Sequence, residues 1–357
     1  MADKNTDINA GVQAQNGFAF QRNSAICVML DKYDLLIGNN FFVCIEHHDD
    51  IIFTYLNESG SIKEIDSYQS KKSSSYWSTD KELGEIVSKM TRVGHNLLLD
   101  TMPKDESYVH NLFFLTNKSI NLNCGSKKAP KYSEIVKEDN LLVSFSELHE
   151  EIKKNLISKM TDFSHEICQL SNVKFMHLEF GNTDKAQREQ LIGKISQLFK
   201  DKNVDAVAAL ETIIILFRDV ETVYNQGGQS KLLDESKRIY SLKILEAFNV
   251  IENKTKTYAL WRQHSEKIAE HLKITLSISK NYKVYIDNSF DYFKDLKMVE
   301  FQKIYNFVKE TNVDEVCYTV SSSIIMLNEE FKKSNQTLLK NEIVLFAIIS
   351  AYAELRV

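Results

Sequence analysis

Only two prolines, Pro103 and Pro130, occur in 357 residues. Proline lacks a backbone donor and breaks a helix interior, so a chain this poor in it can run long helices, above all beyond Pro130. The length predicts two domains rather than one small core. Apolar residues make up 43% of the chain and charged residues 26%, the balance of an ordinary globular protein. The five cysteines, Cys27, Cys44, Cys124, Cys168 and Cys317, are scattered, with no C-x-x-C pair. That argues against a zinc ribbon and a disulfide framework. Cys27 and Cys44 stand among apolar neighbours and read as small buried hydrophobes.

The polar start, Met1 to Gly11, lacks the apolar core of a signal peptide, which points to the cytoplasm. The apolar runs Ala206–Phe217 and Ile343–Ala353 are shorter than the roughly 20 residues of a membrane helix, so no membrane is expected. The net charge is −5. Residues 1–130 hold 13 Lys and Arg against 16 Asp and Glu, so there is no general basic footprint for nucleic acid. Binding to DNA would need a local patch, metal ions, a partner or an oligomer.

Along the chain, Phe20, Ile26, Cys27, Leu30 and Leu35 predict a helix over Gly17–Leu36. Phe41–Glu46 and Asp50–Leu56 read as strands, Asn57–Ser61 as a hairpin turn and Ile62–Lys72 as a third, unusually polar strand. Thr79 and Glu82 form a capping box before a helix carrying Leu83, Ile86, Val87, Met90 and Leu97. A strand over Val109–Thr116, a loop over Gly125–Tyr132, a helix over Glu147–Met160 and a strand over Val173–Phe180 follow. Asp184 with Gln187 is expected to cap a helix running to Phe199. Gly227-Gly228 is the expected hinge, dividing a mixed α/β domain, 1–226, from an all-α domain, 227–357.

The chemistry concentrates in a short stretch. Glu46 ends one apolar strand, Asp49-Asp50 opens the next, and Gln69-Ser70-Lys71 lies near the end of the third. Residues two apart on a strand face the same side, so Gln69 and Lys71 point together. Pairing of the hairpin brings Asp50 opposite them. A carboxylate, an amide oxygen and an ammonium suit phosphodiester hydrolysis. Mg²⁺ takes hard oxygen ligands and keeps several waters, and it lowers the pKa of a bound water. A neighbouring lysine can orient that water and offset developing charge.

Gly17-Phe18-Ala19-Phe20-Gln21, Glu46-His47-His48-Asp49-Asp50 and Gln69-Ser70-Lys71, in that order, resemble the double-stranded DNA nuclease domain of bacterial antiphage effectors, a branch of the PD-(D/E)XK superfamily. The resemblance spans roughly Gly17 to Phe199. It implies an α/β restriction-endonuclease-like N-terminal domain followed by an all-α C-terminal domain, and a metal-dependent endonuclease. Asp50 would be the main metal ligand, Gln69 a second ligand and Lys71 the catalytic lysine, with Glu46 and Gln21 in support. The implied metal is Mg²⁺, or Mn²⁺ in its place. The implied partners are double-stranded DNA, further copies of the chain, and an SMC-like or HerA-like ATPase. Gln69 stands where the superfamily pattern has an acid, as is common in this branch.

Each motif has a plainer reading. Asp49-Asp50 alone is surface decoration, since Asp is mostly exposed, and Lys71-Lys72 alone is a solvated strand end. Gln21 alone is an ordinary helix residue. His47-His48 lack a third ligand at recognisable spacing, and Ser73–Ser75 lack a nucleophile elbow. Tyr76-Trp77 either abuts DNA or packs over the strand edge. Residues 229–357 hold 19 Lys and Arg against 17 Asp and Glu, with Tyr258, Trp261, Phe290, Tyr292, Phe301 and Tyr305 read as core. The apolar helix Ile343–Tyr352 must be covered by its own domain or by another subunit, and an intersubunit contact is expected. Two alternatives stay open. One is a catalytically retired nuclease fold serving as a scaffold; the other is a nuclease for RNA or single strands.

Overall fold

The computed structural model describes residues 10–45, 50–126, 129–161, 167–200, 204–221, 223, 232, 234–295, 297–313 and 315–357. Glu46, His47, His48, Asp49 and Gly227-Gly228 therefore lie outside the described residues. The chain divides into two compact units, one of residues 1–198 and 210–245, the other of residues 199–209 and 246–357.

In the first unit, α1 (Ala10–Asp31) and α2 (Tyr33–Ile37) precede three antiparallel strands, β1 (Asn40–Ile45), β2 (Ile51–Leu56) and β3 (Ile62–Lys71). The turn between β2 and β3 is closed by Asn57, whose side-chain oxygen accepts from the N–H groups of Ser59 and Ser61. Gly60 supplies the positive φ of 81°, the conformation glycine adopts at no steric cost. After β4 (Trp77–Ser78), α3 (Lys81–Leu99) crosses to β5 (Lys104–Thr116), parallel to β3. Then come β6 (Ile120–Ser126), β7 (Ala129–Val136), β8 (Leu142–Ser144), α4 (Glu150–Ile157), β9 (Val173–His177), α5 (Asp184–Leu198), α6 (Ala206–Glu221), whose first four residues fall in the second unit, and β10 (Arg238–Tyr240). The main sheet has the order β10-β1-β2-β3-β5-β9-β8, and β4-β6-β7 form a second sheet.

One face of the main sheet, through Phe42, Cys44, Ile52, Ile65, Leu112, Phe114 and Phe175, packs on Leu83, Val87, Met90 and Leu97 of α3. These helix positions repeat at three and four residues, the stripe an amphipathic helix must bury. On the other face, Phe53, Tyr68 and Phe113 are in ring contact, and α1 packs against β3 on this unit.

Several local expectations are corrected. Of the stretch Gly125–Tyr132, read as a loop, residues 125–126 belong to β6 and residues 129–132 to β7, which pair antiparallel. The cap of α3 is Asp80, which accepts from the Leu83 N–H at 3.2 Å; Thr79 instead bonds the backbone of β6. At the start of α5, Thr183 accepts from the Ala186 N–H, while Gln187 donates to the Gly181 carbonyl. The helix over Glu147–Met160 is confined to Glu150–Ile157 after a short 3₁₀ turn. The stretch beyond Gly228, read as almost wholly helical, returns β10 to pair with β1 at the sheet edge.

The second unit is helical: α7 (Ser241–Leu272), which begins in the first unit, then α8 (Leu276–Lys280), α9 (Tyr282–Lys294), α10 (Val299–Glu310), α11 (Val320–Ser334) and α12 (Asn341–Arg356). All of α12 from Val344 to Ala353 is buried, against α9, α10 and α11 of the same unit. Phe346 meets Trp261 edge-on at 4.8 Å and stacks on Tyr285 at 5.1 Å. The chain itself thus covers the helix expected at a subunit contact, and its burial supplies no reason to infer one.

Candidate active site

The antiparallel register pairs Ile51 with Tyr68. Carried one residue further, it sets Asp50 opposite Gln69, and directly opposed residues share a face. Alternation places Gln69 and Lys71 with Ile65, on the face that α3 covers. The side chains follow this register. Gln69 donates its amide N–H to Asp50 Oδ2, and the Ser70 backbone N–H donates to the same oxygen at 2.9 Å. Asp50 is 5% exposed and Gln69 fully buried.

Two features were not legible from the motif. Gln69 Oε1 is buried and has no hydrogen-bond partner among the described residues, a costly state for an amide oxygen. The second Asp50 oxygen, Oδ1, faces Lys89 of α3, whose Nζ lies 3.9 Å away. Nothing in the periodicity of α3 distinguishes Lys89 from any other exposed helix lysine.

Lys71 is half-buried and opens onto a cavity of about 720 Å³ that Gln21, Asn16, Ser70, Lys72 and Asn182 also line. Gln21 is thereby brought to the same cleft as Lys71. Its Oε1 and the Ser70 hydroxyl are both buried, with no hydrogen-bond partner among the described residues. Asp50 and Gln69 stand next along the strands, outside that lining. The loop after β3 is held by Asn117, which accepts from the Ser73 N–H at 3.0 Å and donates to Asn182 at 3.1 Å. Of the aromatic pair, Trp77 packs inward, donating to Thr116 Oγ1 at 2.9 Å, and Tyr76 is exposed.

A second buried acid on β3, Asp66, points to the opposite face. It pairs with Lys32 and accepts from Asn111 at 2.7 Å. The Lys32 ammonium lies 5.7, 5.8 and 5.9 Å from the ring centres of Tyr55, Tyr68 and Phe113. This acid is neutralised and boxed by aromatic rings, a structural arrangement.

Among the described residues no three His, Cys, Asp or Glu side chains converge as a metal cluster. Burial pushes the Cys27 and Cys44 thiols up to about 12, so neither offers a thiolate near neutral pH. One carboxylate beside an unsatisfied amide oxygen is a hard-oxygen donor pair. It fits Mg²⁺, which needs few protein ligands and keeps its waters, and not the nitrogen and sulfur set of structural zinc. No helix among the described residues is long and apolar enough to cross a membrane.

No curated protein and no solved structure matches the chain. The family model described as "Cap4, dsDNA endonuclease domain" matches residues 9–221. That span contains α1, all of β2 and β3, and the Asp50–Gln69–Lys71 arrangement, and it takes in more than half of the chain. The chain therefore belongs to the Cap4 double-stranded DNA endonuclease domain family.

Proposed function

We propose that this protein is a Mg²⁺-dependent endonuclease of the PD-(D/E)XK type that cuts double-stranded DNA in antiphage defence. The observation that carries this reading is the Asp50–Gln69 contact across β2 and β3, with a buried unpartnered amide oxygen and Lys71 two residues on. The family match supports the DNA nuclease part independently. Asp50 and Gln69 would hold the ion, which when bound supplies an acidified water and charge stabilisation at the phosphate. The Ser70 N–H fixes the Asp50 carboxylate. Lys71 orients the attacking water and meets the charge that develops on the phosphoryl oxygens. Gln21 positions the scissile phosphate from the α1 side of the cleft. Glu46 stays part of the reading as a supporting acid.

Residues 1–226, with β10 returned to their sheet, form the nuclease part of this proposal, and the helices that follow β10, to residue 357, a module for assembly and partner docking. The excess of acids over bases in residues 1–130 supports control by assembly, because an isolated subunit gains little from phosphate neutralisation. The partner is an SMC-like or HerA-like ATPase, further copies of the chain complete the assembly, and the setting is the cytoplasm.

The test is nicking of supercoiled plasmid by the full-length protein, with Mg²⁺ and with EDTA, beside Asp50→Ala. Cleavage that needs both Mg²⁺ and Asp50 is expected. Inactivity of the assembly with its ATPase under every metal condition would establish a retired scaffold, which the glutamine at position 69 makes the specific rival. Faster cleavage of single-stranded DNA or RNA in the same panel would overturn the substrate assignment.

A further inference from the structure

Asp50 is almost wholly inside the protein, its side chain 7% exposed, and a carboxylate in that position must be met by charge or by several donors. Its two oxygens are treated differently. Oδ2 is saturated by the Gln69 amide and the Ser70 N–H, both neutral donors that belong to β3. Oδ1 is turned toward Lys89, which comes from α3 and carries a full charge. The side chain of Lys89 is 51% exposed, so its ammonium keeps water while it faces the acid. The separation of 3.9 Å is long for a direct ion pair. Lys89 is set where a cation is required, and at 3.9 Å its hold on Asp50 itself is loose.

We propose that Lys89 is the resident counter-ion of Asp50 and gives way to the divalent ion when the site is loaded, so that it sets the ion concentration at which the nuclease switches on. This rests on the reading of Asp50 as a metal ligand. The geometry carries the exchange. A Mg²⁺ or Mn²⁺ ion bonded to Oδ1 sits about 2.1 Å from it. An ion there lies within about 6 Å of the ammonium, which itself stands 3.9 Å from the same oxygen, and like charges at that range repel, so the ion and Lys89 compete for Oδ1. The lysine stem has four rotatable carbons and can swing its charge into solvent. The unpartnered Gln69 oxygen beside the same carboxylate gives the arriving ion a second ligand, whereas an ammonium on Oδ1 leaves that oxygen unsatisfied. Lys89 is thus a positioning residue, acting through Asp50. Its competition makes ion binding weaker than the two ligands alone would provide.

The test measures Mn²⁺ binding by electron paramagnetic resonance, without DNA, on the full-length wild type, Lys89→Met, Lys89→Arg and Asp50→Asn. Removing a partly screened competing charge should tighten Mn²⁺ binding about three- to tenfold in Lys89→Met. Lys89→Arg keeps the charge and should bind within about twofold of wild type. Equal or weaker binding by Lys89→Met overturns the inference while leaving the metal site standing. Wild-type binding that Asp50→Asn does not weaken overturns the metal reading itself. Lys89→Gln, which retains a polar tip at this half-exposed position, repeats the charge removal if the methionine variant does not fold.

Discussion

Gln69 reaches across from β3 to donate its amide hydrogen to Asp50 at the start of β2, and the same amide leaves its oxygen buried without a partner. A glutamate could make this contact in the absence of a metal ion only by keeping a proton, because two ionised carboxylates at hydrogen-bond distance repel in a dry site. Gln69→Glu should therefore destabilise the protein in EDTA by about 1–3 kcal/mol and recover on addition of Mg²⁺. Melting temperatures with and without the ion check this. An unchanged melting temperature in EDTA would mean that the Asp50–Gln69 contact contributes nothing.

Lys71 lies two residues along the same strand, half-buried at the cleft. Lys71→Ala should lower cleavage by at least about 10²-fold, the scale of a positioned proton-transfer or charge-stabilising group. Its thermal stability should stay within about 0.5 kcal/mol of wild type, as for other surface truncations. A plasmid assay beside a denaturant titration reads both. Wild-type cutting would remove Lys71 from the site.

His110 on β5 is 7% exposed and lies 2.6 Å from Gln169 Oε1 and 3.1 Å from Asn172 Nδ2. Burial pushes its pKa below the ordinary 6.5, against the opposing pull of the Gln169 contact. The unfolded chain then takes up a proton first as pH drops, so stability rises with pH where the two states differ. The contribution of neutral His110 is fully present above about 6.5 and is lost as pH falls below it. Melting temperatures between pH 8 and 5 should decline through that window, and His110→Gln should flatten the decline. An identical slope in the variant would exclude His110 as its source.

Gly84 in α3 has no room for a side chain: an added Cβ would stand 2.3 Å from the Lys159 carbonyl oxygen. Alanine is the better helix former by about 1 kcal/mol, but here it collides with backbone, which cannot rotate away. Overpacking costs about 1–3 kcal/mol and should win, so Gly84→Ala should lower the midpoint of urea unfolding. A raised midpoint would show that the Lys159 segment yields easily.

What the sequence determined by itself was the order of the pieces and the chemistry carried on β2 and β3. Period-two and helical patterns are local, so β1, β2, β3 and α3 could be read from Phe41–Ile45, the Asn57–Ser61 turn and the Leu83–Leu97 stripe. The facing of Asp50 and Gln69 followed from the hairpin, because a short turn sets the register of its two strands. Tertiary structure alone decided whatever depends on contacts between distant segments. Lys89 met Asp50 because α3 lies over that face, and nothing in its own neighbourhood marks it out. β10 was too short for a pattern and exists because the edge of β1 offers unpaired backbone groups. The capping residue of α3 moved from Thr79 to Asp80 because β6 claims Thr79 for its own backbone. α12 showed the same limit from the other side: its apolar surface required a cover, and only the packing of α9, α10 and α11 decided that the cover is the chain itself.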